Sequence, residues 1–218
     1  MTGNLMTKAA SAQSENTPFV AIVDDDSGVR AALDSLFRSI GLETRLFGSA
    51  AELLEATLPR APGCLILDVR LPTISGLDFQ GQLAKHGIEL PVVFMTGHGD
   101  IPMTVRAMKA GAVDFLSKPF RDQDMLDAVT GAIERDRRRR AESAQMKSLR
   151  AEYETLSPRE REIMAHVVAG LMNKQVAGLI GLSEITVKIH RGNVMRKMGV
   201  RTLADLVRKA EALGISGP

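Results

Sequence analysis

The chain has 218 residues, enough for one large core or two modest ones, and its 44% hydrophobic and 25% charged residues exclude disordered and fibrous classes. A single cysteine, Cys64, excludes an internal disulfide framework and a multi-cysteine zinc site and implies a reducing compartment. The net charge of +2 hides an asymmetry: residues 19–133 hold ten basic and fifteen acidic residues, 134–150 hold seven and three, and 151–218 hold ten and seven, so the back half is the part expected to meet a polyanion.

Residues 1–18 are small and polar, without an apolar run of signal-peptide length, and nothing downstream approaches a membrane span. They are expected to be a flexible tail on a cytoplasmic chain that makes no membrane contact. From residue 19 short apolar runs alternate with helix-period segments. Strands are expected at 19–23, 43–47, 64–67, 91–96 and 113–117, and helices at 27–40, 50–57, 75–86, 101–110 and 123–133. Five strands alternating with five helices imply an α/β fold, a doubly wound parallel sheet covered on both faces. Gly41 and Gly111 sit just past helices, where a left-handed cap is wanted, and Cys64 lies in an apolar run that predicts burial.

Residues 134–152 are rich in Arg, Ala, Glu, Gln and Lys. These are good helix formers, so a charged helical linker is expected, with its Arg run on a solvated or dimer-facing surface. From 153 to 218 the pattern is helical throughout. Ser157-Pro158-Arg159-Glu160 reads as a capped helix start, and segments 173–180, 184–198 and 202–212 complete a small all-α domain of four helices.

Chemistry collects at the carboxyl ends of the strands, where open parallel sheets bind ligands. The first strand ends in Asp24-Asp25-Asp26, the third in Asp68, the fourth in Thr96 and the fifth in Lys118-Pro119. Carboxylates forced together need a cation, and a hard oxygen-ligated ion that keeps some water, Mg²⁺, suits the set best. With Mg²⁺ and Lys118 on either side, Asp68 could act as a carboxylate nucleophile towards a phosphoryl group, and the Thr96 hydroxyl could bond a phosphoryl oxygen. Taken singly, each residue has a plainer role: a helix cap for the Asp run, a turn for Asp68, a solvated loop for Lys118.

Taken together, residues 19–133 resemble the receiver domain of response regulators. The resemblance rests on Ile22-Val23-Asp24-Asp25, on Leu67-Asp68-Val69-Arg70-Leu71-Pro72 with Ser75-Gly76 following, on Met95-Thr96-Gly97-His98-Gly99 and on Phe115-Leu116-Ser117-Lys118-Pro119-Phe120; the run from Thr96 to Phe115 is most similar to the FixJ-type branch. It implies that Asp68 accepts phosphate from a sensor histidine kinase, that Asp25, Asp68 and the Arg70 backbone carbonyl bind Mg²⁺ with Asp24 acting through water, and that Thr96 and Phe115 form a switch. Phe115 lacks the hydroxyl of the tyrosine common at that position, which leaves inward packing as its contribution. His98, with no second histidine nearby, is expected to serve the loop.

Asn173 to Lys188 fits helix, glycine-bearing turn, second helix, the form of a helix-turn-helix. Val187, Val194 and Met198 share one face of the second helix, leaving Ile185, Lys188, Ile189 and Gly192 outward; exposed isoleucines beside a lysine suit a DNA major groove. The segment resembles the LuxR/NarL-type DNA-binding domain through Leu156 to Glu162, Asn173-Lys174 and Thr186 to Arg191. That implies a recognition helix carrying Ile185, Thr186, Lys188 and Ile189, with phosphate contacts from Lys174 and Arg191, and pairing through 202–212. Gly192 departs from the longer side chain often found there, and His190 is expected to pack or bond backbone.

Two other functions fit less well. A phosphoaspartate hydrolase would carry an acidic residue two positions after its nucleophile, where this chain has Arg70, and RNA binding calls for stacking aromatics, of which the back half has Tyr153 and no Phe or Trp. The expectation is therefore a transcription regulator rather than an enzyme. Its partners would be a kinase, double-stranded DNA, a second copy of itself on phosphorylation, and RNA polymerase.

Overall fold

The structure, a computed structural model, describes residues 17–97, 101–215 and 217. Most of the N-terminal tail, and the loop residues His98, Gly99 and Asp100 with their expected roles, lie outside the described residues. The chain divides into two compact units between Arg140 and Ala141.

Strands β1 (Phe19–Val23), β2 (Glu43–Phe47), β3 (Gly63–Asp68), β4 (Val92–Thr96) and β5 (Asp114–Ser117) form one parallel sheet in the order β2-β1-β3-β4-β5. Alternating side chains feed two cores, as the two-residue period of a strand requires. Phe19, Ala21, Val23, Leu65, Leu67, Val92 and Phe94 face helices α2 (Ala50–Glu55), α3 (Gly76–Leu83) and α4 (Ile101–Lys109). Val20, Ile22, Cys64, Ile66, Val93 and Met95 face α1 (Ser27–Ser39) and α5 (Asp122–Glu154). Each large side chain removed from water in this way contributes about 1.5–3 kcal/mol, which holds the strand ends in fixed register. Cys64 is fully buried and its thiol is pushed well above its ordinary value by burial and by the charge of Asp136.

Local signals set most element ends. Asp26 caps α1 by accepting from the N–H groups of Gly28 and Val29, and Gly41 takes the left-handed conformation beyond it. The expected helix over 50–57 stops at Glu55, because Ala56 turns extended ahead of Pro59. The one over 75–86 is α3 followed by a tight 3-10 turn, Ala84–His86, closed by Gly87 at φ 73°. Helix α5 runs unbroken for 33 residues.

The second unit packs α6 (Pro158–Val168), α7 (Asn173–Ile180), α8 (Glu184–Lys197) and α9 (Leu203–Ala212) around Ile163, Met164, Val167, Val176, Val187, Val194, Met198 and Leu206. The end of α5 joins this core through Leu149, with Met146 and Tyr153 against it. The capping box at Ser157 and Glu160 forms as its sequence predicts. Glu160 has a further partner: its carboxylate accepts from Lys197 Nζ at 2.7 Å and from the Ser157 N–H at 2.8 Å.

The Lys197 ammonium holds the Glu160 carboxyl below its ordinary 4.5 against the opposing effect of burial. An acid depressed in the folded state contributes stability above its unfolded pKa and loses it as pH falls through the folded one. Glu160→Gln is therefore expected to cost about 2 kcal/mol at neutral pH, since it removes the charge that pairs the half-buried Lys197 ammonium, which keeps the Thr155 carbonyl as an acceptor at 3.0 Å. It is also expected to flatten the loss of stability that the lowered Glu160 pKa predicts for wild type as pH falls below 4.5. Denaturant titrations of both proteins at stepped pH measure this, and parallel wild-type and variant curves would refute the assignment.

Candidate functional site

The register of β1 and β3 pairs Val23 with Leu67, so the next residues, Asp24 and Asp68, emerge side by side at the point where strand order reverses. Carboxylate oxygens of Asp24, Asp25 and Asp68 lie within 4.8 Å of one another. Asp24 is fully buried, Asp68 nearly so, and Asp25 is exposed, leaving one side of the cluster open to water. Lys118 Nζ bridges the two buried carboxylates, at 2.6 Å from Asp24 Oδ2 and 3.0 Å from Asp68 Oδ2. Burial pushes the Asp24 carboxyl above its ordinary value, with Lys118 opposing. Burial would depress Lys118, but its bonds to Asp24 and Asp68 outweigh that and hold it charged. Three hard oxygen donors around an open face fit a magnesium-class cation and offer nothing to a soft metal.

Glycine is required beside Asp68. The Gly76 N–H donates to the Val69 carbonyl at 2.8 Å, and a Cβ on Gly76 would fall 2.3 Å from the Asp68 carbonyl oxygen. Arg70 lies two residues beyond Asp68, and its N–H donates to Asp68 Oδ1 at 3.1 Å. Thr96 is fully buried at the end of β4, and the Lys118 N–H donates to its carbonyl at 2.7 Å. Phe115, on the neighbouring strand, is half-buried with its ring 6.3 Å from that of Phe94. Asp24, Asp25, Asp68, Thr96 and Lys118 thus gather at adjacent strand ends, while Phe115 lies within β5, paired with Phe94.

In the second unit, α7, Gly181 at φ +67° and the Ser183-capped α8 form a helix-turn-helix. Val187, Val194 and Met198 are buried, whereas Ile185 and Ile189 are 73% and 60% exposed with Lys188 beside them. Lys174 is exposed. Arg191 and Thr186 are half-buried: Arg191 donates to Asn173 Oδ1 at 3.1 Å, and the Thr186 hydroxyl is shared with that of Ser183 at 2.8 Å.

Residues 20–130 match the response regulator receiver domain, and residues 154–210 match the luxR family of bacterial regulatory proteins. The chain belongs to the response regulators. It is 59% identical over 204 residues to Nodulation protein W of Bradyrhizobium diazoefficiens, covering 94% of this chain and 90% of that one. Against Response regulator protein TodT of Pseudomonas putida the identity is 48%, over 92% and 88%. Among solved structures, the response regulator StyR superposes with a TM-score of 0.82 at 46% identity, over 89% of this chain and 98% of that one. Full-length FixJ from B. japonicum gives 0.54 at 35%, over 91% and 98%. The protein is thus a two-component response regulator, a transcriptional regulator with a receiver and a helix-turn-helix DNA-binding domain. No helix among its described residues is long and apolar enough to cross a membrane.

Sequence reasoning passed over several residues of this response regulator that position the others. Arg30 donates from α1 to the Asp24 carbonyl at 2.6 Å, Asn173 holds Arg191, and Asp136 is a fully buried carboxylate in the stretch expected to be solvated. The expectation for the Arg run needs correction there, since Arg139 and Arg140 bond Asp136, Glu89 and the Arg60 carbonyl. Position 136 continues the buried stripe Met125, Val129, Ala132 and Ile133 at helical spacing, but a charged residue flanked by arginines reads as solvated. His190 is half-buried and its Nδ1 has no hydrogen-bond partner; it packs rather than bonding backbone through that atom.

Gly192 lies inside α8, and a Cβ there would meet nothing within 4 Å. Gly192→Ala is expected to stabilise the protein by about 1 kcal/mol through helix propensity, measured as a shift in denaturant midpoint. A destabilised variant would overturn the assignment of free space at this position.

Proposed function

We propose that a sensor histidine kinase phosphorylates Asp68, that this drives pairing of two receiver domains, and that the paired helix-turn-helix domains bind a promoter and engage RNA polymerase in the cytoplasm. The single observation that carries the proposal is the Asp24–Asp25–Asp68 cluster spanned by Lys118. An Asp68 oxygen attacks phosphorus as the bond to the kinase histidine nitrogen breaks, giving an acyl phosphate. Asp25, Asp68 and the Arg70 carbonyl would hold Mg²⁺, with Asp24 acting through water; when bound, the ion neutralises charge on the transferring group. Lys118 supplies the second positive charge, and the Thr96 hydroxyl meets a phosphoryl oxygen.

Drawing Thr96 towards the phosphoryl group lets Phe115 turn inward and alters the face of α4 and β5. That face supports pairing, because Ile101, Val105 and Met108 are 80%, 45% and 45% exposed on one side of α4. Pairing raises the effective concentration of the second DNA-binding domain at its half-site. On this proposal residues 1–18 are a flexible tail, 19–133 the receiver, 134–152 a charged helical linker and 153–218 the DNA-binding domain. Base and backbone contacts come from Lys174, Ile185, Thr186, Lys188, Ile189 and Arg191.

Light scattering of the chain with Mg²⁺, before and after adding beryllofluoride as a phosphoryl mimic, tests the proposal. The expected result is a doubling of the 23.6 kDa chain mass. An unchanged mass would overturn phosphorylation-driven pairing.

A further inference from the structure

Asp136 is a buried charge that the phosphorylation chemistry does not use. Its side chain is fully buried beneath the sheet, one turn beyond Ile133, where α5 ceases to pack on the core. Its Oδ2 accepts the Gly63 N–H at 3.0 Å and Arg140 Nε at 2.5 Å, and its Oδ1 accepts Arg139 at 2.8 and 3.1 Å. The two arginines extend the grip: Arg140 donates to the Arg60 carbonyl at 2.9 Å, and Arg139 pairs with Glu89. Gly63 can present its N–H there because it has no side chain; a Cβ would fall 2.5 Å from the Phe19 ring.

These contacts land on two places, the start of β3 and the segment leading into β4. The opposite ends of those strands carry Asp68 and Thr96, the two residues that must rearrange around a phosphoryl group. Each strand spans roughly 20 Å at most and is buried along its whole length, so a close-packed strand carries a displacement with little loss. A buried ion cluster is a poor way to gain stability, since apolar replacements do as well or better. Its bidentate pairing fixes geometry instead.

We propose that Asp136 is a positioning residue of the signal relay, clamping the turn of α5 at 136–140 to the entries of β3 and β4 so that rearrangement at Asp68 and Thr96 reaches the helix leading to the DNA-binding residues. The inference rests on the phosphorylation switch proposed above. Asp136→Asn cancels the charge that pairs the arginines and keeps an oxygen for the Gly63 N–H.

The test compares wild type and Asp136→Asn for beryllofluoride occupancy by fluorine NMR and for binding to a duplex selected from a random pool by beryllofluoride-loaded wild type. Expected are unchanged occupancy and a beryllofluoride-dependent gain in DNA affinity reduced by about tenfold, within the usual range of coupling between sites. An unchanged gain would overturn the relay while leaving the switch intact; parallel loss of occupancy would make Asp136 merely structural and overturn it too. No gain in wild type would sink the switch and the relay together. Should Asp136→Asn fail to fold, Glu89→Gln cuts the exposed arm of the clamp, and a reduced or an unchanged gain in that variant decides the same question.

Discussion

Asp68→Asn is expected to remain at the mass of one chain in Mg²⁺ and beryllofluoride, under the conditions in which wild type doubles. The substitution keeps the shape of the side chain but exchanges a charged nucleophilic oxygen for a neutral amide, which neither attacks phosphorus nor completes the tetrahedral mimic. It also lowers the negative charge of the cluster and leaves Lys118 with Asp24 as its remaining ion-pair partner among the described residues. Incubation with a radiolabelled small phosphodonor gives a second readout: label is expected on wild type and absent from the variant. A doubled mass in the variant would show that pairing does not depend on the acceptor, and labelling of the variant would place the acceptor elsewhere.

Lys188→Ala is expected to weaken binding to a selected duplex by about 1–3 kcal/mol, roughly 5- to 150-fold, while phosphorylation and pairing stay at wild-type levels. Lys188 is exposed on α8 between Ile185 and Ile189, so its removal leaves no buried group unpaired and the fold is spared. Salt dependence separates its possible contacts. If Lys188 meets a phosphate, the slope of log affinity against log salt falls by about one; if it reads a guanine edge, discrimination at one base pair relaxes and the slope changes less. A DNA titration indistinguishable from wild type would remove Lys188 from the interface.

The surface around Lys188 also accounts for two apolar side chains left in water. Ile185 and Ile189 are four residues apart on the face of α8 opposite Val187 and Val194, and burying them in the local core would need the helix to turn over. On the proposed docking of α8 in a major groove, thymine methyl groups would give them an apolar partner. Met172 and Leu179, 68% and 64% exposed on α7 and its cap, extend the apolar character of this domain beyond the positions named from sequence.

What the sequence determined by itself is what neighbouring residues decide. Short apolar runs between helix-period segments placed the strands, because a parallel strand covered on both faces is apolar along most of its length. Ser157, Pro158 and Glu160 announced a helix start, because a cap is completed within one turn. The acidic site was legible because the parallel topology, once inferred, places the carboxyl ends of all five strands at one edge, and the acidic residues, Thr96 and Lys118 stood at those ends. Only the tertiary structure decided partners far apart in the chain. Lys118 sits between Asp24 and Asp68, 94 and 50 residues away, and Asp136 meets Gly63 across 73. Lys197 reaches Glu160, and Arg191 is held by Asn173. Such pairings depend on strand register and helix packing, which no local pattern specifies, and a charged side chain carries the same signal in sequence whether it ends in water or in a buried clamp.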